Sequence, residues 1–145
     1  MLGSLDREQI EHVLRESVIG RIGVHSEGRT YVVPVSYVYD GDAVYVHSAD
    51  GQKIRMMRAD PLVCFEVERI DDMANWRTVI AWGRYEELKG DLSHAAMNLL
   101  VARLSPLTTS ETTGPAGRAA GKKSDGVEIA FRIRLSELTG RFEKR

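Results

Sequence analysis

The chain of 145 residues has a single cysteine, Cys64, so it cannot form an internal disulfide or a cysteine metal cage. It also lacks the run of roughly 20 apolar residues that spans a bilayer. Its first residues have neither the basic start nor the apolar stretch of a secretory signal. Excess charge of either sign is absent, because 20 Lys and Arg balance 21 Asp and Glu. We therefore expect a cytoplasmic protein that binds neither nucleic acid nor a membrane.

Nucleotide-binding fingerprints are missing as well. Neither G-x-G-x-x-G nor G-x-x-x-x-G-K-[ST] occurs, so the sequence does not support a Rossmann or P-loop fold. The four histidines show no metal-ligand spacing. What the chain does have is an ordinary globular composition, 43% hydrophobic and 28% charged. We expect residues 1–145 to fold as a single domain.

Three helices are predicted. Asp6 begins a capping box ahead of an apolar stripe, which predicts a helix over residues 6–17. A short helix is predicted to have Lys53 in its first turn, and it must stop near residue 60, because a proline comes next. Asp91 is expected to cap the third helix. The apolar face of that helix is predicted to contain Leu92, Ala95, Ala96, Leu99, Leu100 and either Arg103 or Leu104.

The remaining segments predict about six antiparallel strands, over residues 18–24, 30–39, 43–47, 62–68, 76–88 and 127–135. Short turns between the first three strands favour a meander. Residues 70–75 are predicted to be a polar connection, and residues 105–126 a mobile loop. Closure into a barrel removes exposed strand edges, so the predicted fold class is mainly β, a barrel with flanking helices.

The turn from His47 to Lys53 is the most informative candidate site. A strand ends there, small and polar residues make the turn, and a helix begins with Lys53 in its first turn. Free N–H groups at a helix N-terminus favour an anion, to which Ser48 and Lys53 can add a hydroxyl and a positive charge. The alternative is a surface helix with a solvated lysine. His47 is the candidate catalytic proton donor, the alternative being an ordinary strand-end histidine.

Two strands carry further candidates. Pro34 cannot donate a ladder hydrogen bond, so it marks an edge or opening that can leave the backbone of residues 35–37 available to a flat polar ring. The alternative is a sheet edge that faces water. On the long strand, Arg77 can grip a phosphate and Thr78 can reach a sugar chain. The alternative there is a solvated arginine beside core or interface tryptophans.

Four stretches in order resemble the pyridoxamine 5′-phosphate oxidase-like FMN-binding split barrels, especially the branch of 5-nitroimidazole-resistance proteins. They are residues 19–24 (IGRIGV), 31–42 (YVVPVSYVYDGD), 47–61 (beginning HSADGQKI) and 76–84 (beginning WRTV), and residues 138–141 look like the family's end. The resemblance implies a flavoprotein that binds one FMN per subunit at a two-fold homodimer interface. By position, it implies that the cofactor is bound by Pro34, Val35, Ser36, Tyr37, His47, Ser48, Gln52, Lys53, Trp76, Arg77, Thr78 and Val79.

The chain departs from the family's oxidases at Gly51 and Gln52, where they carry more basic residues, and it lacks their C-terminal arginine and histidine pattern. This favours a reductase over vitamin B6 oxidation. The leading hypothesis is an FMN-dependent oxidoreductase that passes electrons from a nicotinamide donor to a small acceptor such as a nitro-aromatic. The alternatives are a non-enzymatic flavin carrier or sensor, and the same barrel with haem or a deazaflavin.

Overall fold

The computed structural model describes residues 1–109 and 127–145. The strands in these ranges are β1 (Leu2–Ser4), β2 (Ile19–Ser26), β3 (Arg29–Ser36), β4 (Val38–Tyr39), β5 (Ala43–Ala49), β6 (Leu62–Asp72), β7 (Asn75–Leu88) and β8 (Glu128–Glu143). The helices are α1 (Arg7–Glu16), α2 (Gln52–Ala59) and α3 (Asp91–Leu104), followed by a 3₁₀ turn at Ser105–Leu107. No helix in the described ranges has the length and apolar composition needed to cross a membrane.

All these strands form one antiparallel sheet in the order β3-β2-β6-β7-β8-β5-β4, with β1 added beside β8. Although β3 and β4 lie at opposite edges of this order, only Tyr37 separates them in sequence. The sheet must therefore curl until its edges meet, which makes a barrel split between β3 and β5. The mainly β class and the split barrel are confirmed. The predicted meander is only partly right: residues 29–36 pair with β2 and residues 38–39 pair with β5, but these are two separate hairpins at opposite ends of the strand order, and β5 also pairs with β8.

Alternate side chains of the long strands fill the barrel. Ile22, Phe65, Val79 and Phe131 come from four different strands, and each is fully buried. The residues of α1 and α2 that face the core join the same cluster, so these helices close the barrel ends. The third helix, α3, contacts β4, β5 and β8 on the outside of the barrel. The outer sides of β3, β2, β6 and β7 are left with exposed apolar residues.

The helix starts are only partly as predicted. The capping box of α1 is confirmed: the Asp6 carboxylate accepts from the Gln9 N–H at 2.9 Å, and the Gln9 side chain accepts from the Asp6 N–H at 2.9 Å. Asp91 does not cap α3, because Gly90 is the N-cap and Asp91 lies in the first turn. The buried stripe of α3 is also narrower than predicted. It consists of Ala96, Leu100 and Leu104, whereas Leu92 and Leu99 are 56% and 42% exposed.

Two of the predicted strands end several residues too early. Residues 70–75 are not a polar connection, because β6 and β7 continue to a tight turn in which Asp72 pairs with Asn75. The Asp72 carboxylate accepts from the Ala74 N–H at 2.8 Å, which holds the turn. Likewise β8 runs to Glu143 rather than ending near residue 135. Of the predicted loop over 105–126, residues 105–107 form the 3₁₀ turn, and residues 110–126 lie outside the described residues.

Candidate functional site

The N-terminus of α2 has the features of an anion site. Its N-cap is Gly51, which offers no side chain to accept from the first-turn N–H groups. Those groups and the helix dipole therefore favour an anion at this end. Lys53 lies half-buried in the same turn, and Gln52 is exposed beside it. Ser48 is fully buried, and its hydroxyl donates to the Ala49 carbonyl oxygen at 2.9 Å, so this hydroxyl is already engaged.

The split between β3 and β5, which we call the seam, leads to this helix end. In the β4–β5 ladder Val38 pairs with Tyr45 and Tyr39 with Val44. Continuing that register by two residues places Ser36 beside His47, and β3 does contact β5. Because β5 runs into α2 through a two-residue turn, the α2 N-terminus lies at the end of the seam.

Side chains at the seam alternate between the outside and the core. Val35 and Tyr37 are 2% and 0% exposed and belong to the barrel core. Pro34 is exposed and Ser36 half-buried, so both point outward. The outer side of the seam therefore brings together Pro34, Ser36 and His47, whereas Val35 and Tyr37 can offer only main-chain atoms there.

His47 lies near a carboxylate on the neighbouring strand. Its side chain is 13% exposed, and its Nδ1 is 3.9 Å from Oε2 of Glu128. That distance is too long for a hydrogen bond, but it allows an ion pair when the imidazole is protonated. The arrangement suits a residue that holds a proton at the edge of a binding groove.

The predicted site residues on β7 do not act from one face. Consecutive side chains on a strand point to opposite sides, so Thr78 lies on the outer side whereas Val79 is fully buried in the core. Arg77 is on the opposite side from Thr78, and it lines a cavity of about 580 Å³ with His12 and Glu16 of α1. The indole N–H of Trp76 donates to Glu143 at 3.1 Å. The structure thus separates Arg77 from Thr78.

The candidate residues at the seam and those on β7 are also far apart within one chain. Ser36 pairs with Ile19, and Glu68 pairs with Thr78. Continuing the β2–β6 register by two residues beyond the Arg21–Glu66 pair places Ile19 opposite Glu68, so Ser36 and Thr78 lie three strands apart on one level of the barrel. At ~4.8 Å per strand, this separation is roughly 14 Å around the sheet. Thr78 of the same subunit does not reach a small group bound at Ser36.

The sequence analysis did not predict the exposed apolar surface that lies between Ser36 and Thr78. We call outer face the outward-pointing side chains of β3, β2, β6 and β7. Its large apolar members are Ile19 (54% exposed), Val32 (63%), Leu62 (65%), Ile80 (42%) and Trp82 (42%). A largely apolar groove of about 690 Å³ crosses it beside Cys64. The signal was present in the sequence, because residues 62–65 and 79–82 are apolar on both faces of their strands.

Comparison with known families gives a match that runs from the cap of α1 almost to the end of β8. Residues 6–142 match the family profile described as pyridoxamine 5′-phosphate oxidase. The chain belongs to the pyridoxamine 5′-phosphate oxidase family. This confirms the resemblance drawn from the four sequence stretches.

Solved structures share the split barrel. The FAD-binding protein mll6688 of Mesorhizobium loti is 28% identical, with a TM-score of 0.80 over 100% of this chain and 98% of that one. A candidate 5-nitroimidazole antibiotic resistance protein of Bacteroides thetaiotaomicron is 18% identical, with a TM-score of 0.71 over 98% and 87% of the two chains. The FAD binding protein of Mycobacterium smegmatis is 18% identical, with a TM-score of 0.67 over 99% and 100%. The likeness to the last two shows the fold alone.

One relative is similar in sequence over part of the chain. The uncharacterized protein RA0666 of Rhizobium meliloti (strain 1021) is 31% identical over 84 residues. The matched region covers 58% of this chain and only 56% of that relative.

Proposed function

We propose that this member of the pyridoxamine 5′-phosphate oxidase family is a flavin-dependent oxidoreductase with its cofactor on the outer side of the seam. The observation that carries the proposal is the α2 N-terminus, which has no side-chain cap and has Lys53 in its first turn. This end suits the phosphate of FMN. Ser36, His47 and the main chain of residues 35–37 then border the groove for the flat ring.

A second copy of the chain is the proposed partner. Ser36 and Thr78 lie too far apart in one subunit to hold the same small group of a ligand, such as one phosphate, and the outer face between them exposes large apolar side chains. Burial of such a face in a symmetric dimer is favourable. The dimer would also carry Trp76 and Thr78 of one subunit to the seam of the other. We therefore infer a homodimer with two flavin sites, each completed by both subunits.

A bound flavin supplies hydride and electron transfer, and the protein positions it and controls access. His47 would hold a proton at the groove, with Glu128 stabilising its protonated form. We propose a nicotinamide donor and a small acceptor such as a nitro-aromatic.

FAD is the second candidate cofactor. The structurally similar protein of Mesorhizobium loti is described as FAD-binding, and its sequence is 28% identical to this chain. Both flavins carry a phosphate on the ribityl chain, so the same helix end can serve either.

Isolation of the protein from its expression host tests the proposal. We expect a yellow protein whose absorption spectrum is that of a flavin, and mass spectrometry of the released cofactor decides between FMN and FAD. Anaerobic addition of a nicotinamide donor should bleach the flavin, and a nitro-aromatic should restore its colour. A flavin that the donor does not reduce would indicate a carrier or sensor. A colourless protein that takes up neither flavin would refute the binding proposal.

A further inference from the structure

Arg21, Glu66 and Glu68 form a charged cluster within the outer face. Arg21 on β2 pairs with Glu66 on β6, and its Nη1 is 3.3 Å from Oε1 of Glu66 and 3.4 Å from Oε1 of Glu68. All three side chains are partly exposed in the single chain. One guanidinium therefore serves two carboxylates on a largely apolar surface.

The neighbouring strands do not neutralise the extra carboxylate. On β7, Ile80 pairs with Glu66 and Thr78 pairs with Glu68, and both are uncharged. On the other side, Arg21 pairs with Pro34 of β3. In the row that contains Glu68 and Thr78, the next residue is the charged Arg141 on β8, which pairs with Thr78.

The helix that packs against β6 adds no charge to the cluster. It is α1, whose His12 and Glu16 line a cavity with Arg69 and Asp71, beyond the cluster along β6. With both glutamates ionised, the cluster carries one net negative charge. Burial, and then the charge of Glu68, already raise the pKa of Glu66 above its usual range in the single chain.

We propose that this cluster makes assembly of the homodimer proton-linked, because each subunit takes up a proton as the outer face is covered. The inference rests on the proposed homodimer. Covering the face removes water from two carboxylates that share one arginine, which disfavours the doubly ionised state. Protonation of Glu66 leaves a cluster with no net charge.

The direction of the pH dependence follows from linkage. A carboxyl group whose pKa is higher in the dimer than in the monomer favours the dimer at low pH, and this advantage is lost as the pH rises through the raised pKa. Uptake of one proton per subunit makes the dissociation constant of the dimer rise by up to about 100-fold per pH unit within that window. Above it, the dissociation constant levels off.

Sedimentation velocity of the purified protein over a dilution series, from about pH 5 to about pH 8, tests the inference. We expect the wild-type dimer to weaken at least about tenfold across this range. Glu66→Gln should flatten the dependence and strengthen the dimer at the upper end, and Glu68→Gln is the second variant if the first does not fold. Glu8→Gln, which removes one charge from an exposed position on α1, is the matched control and should keep the wild-type slope.

The possible results distinguish a failure of the proton linkage from a failure of the proposed homodimer. A dimer with the same dissociation constant throughout the range would overturn the proton linkage and leave the homodimer standing. The same holds if Glu66→Gln and Glu68→Gln both keep the wild-type slope. A chain that remains monomeric at every pH and concentration would overturn the homodimer itself.

Discussion

The phenol of Tyr37 donates a hydrogen bond to the carbonyl oxygen of Leu14 at 2.7 Å, and both side chains are fully buried. Leu14 lies in the last turn of α1, where carbonyl groups lack partners within the helix. The bond therefore joins the end of α1 to the residue at which the chain crosses from one sheet edge to the other. The ring of Tyr37 also packs edge-on against Phe65, with 4.9 Å between ring centroids.

Tyr37→Phe should destabilise the fold, because it leaves the Leu14 carbonyl buried without a donor. We expect the free energy of unfolding in urea to fall by about 1–3 kcal/mol. Tyr31→Phe is the control, since the Tyr31 phenol has no hydrogen bond within the described part of the chain. Equal unfolding midpoints for the two variants would mean that the bond to Leu14 contributes nothing.

Alkaline pH should destabilise the protein through its buried tyrosines. Burial, and then the hydrogen bond to Glu11, raise the pKa of Tyr39 to about 12, and burial also raises the pKa values of Tyr37 and Tyr85. These phenols ionise more readily in the unfolded chain, so the free energy of unfolding should be level up to about pH 10 and fall above it. Tyrosinate absorbance should then rise together with the loss of β-sheet circular dichroism. Ionisation of all five tyrosines in a chain that stays folded would contradict this.

Lys53→Ala should weaken flavin binding, because it removes the cation from the α2 anion site. Loss of one charge-assisted contact to phosphate corresponds to about 10-fold to 100-fold in the dissociation constant. Titration of the flavin-free protein, followed by quenching of flavin fluorescence, measures this directly. Lys53→Arg keeps the charge and should recover most of the affinity. Unchanged affinity in Lys53→Ala would place the phosphate elsewhere.

Leu62→Glu should convert the dimer into a monomer that remains folded. Leu62 is 65% exposed in the single chain, so a glutamate there costs the subunit little, but it places a charge in the apolar part of the outer face. Leu107→Glu is the matched control, because Leu107 is 57% exposed on the 3₁₀ turn after α3. Light scattering gives the mass of each variant. A dimeric Leu62→Glu would show that the second copy binds another surface.

Local patterns predicted the elements that depend on nearby residues. The capping box at Asp6 and the helix with Lys53 in its first turn could be predicted from a few residues adjacent in sequence, and both are present. The crossing of the chain at Tyr37 was not predicted, because strand propensity continues without a break from residue 30 to residue 39. Only tertiary pairing places the residues before Tyr37 beside β2 and those after it beside β5. The length of β8 was missed because its second half alternates weakly and is held by pairing with β7.

The candidate site was predictable as a set of residues but not as an arrangement. The sequence indicates Arg77 and Thr78 together, yet strand geometry sends them to opposite sides. It also indicates Val35 and Tyr37 beside Ser36, although burial assigns their side chains to the core. Which side of a strand faces a ligand depends on the register and curvature of the whole sheet, and no single segment contains that information.

Mixing of two defective variants tests whether each flavin site combines Lys53 from one subunit with Trp76 and Thr78 from the other. One variant is Lys53→Ala, and the second replaces both Trp76 and Thr78 by alanine. If the site is shared, each mixed dimer contains one intact site and one doubly defective site, so random association restores about a quarter of the wild-type flavin sites. If all three residues serve the same subunit, every site in the mixed dimers carries a defect and mixing restores none. Unfolding and refolding the variants together, with each variant treated alone as the control, gives the comparison through bound flavin absorbance.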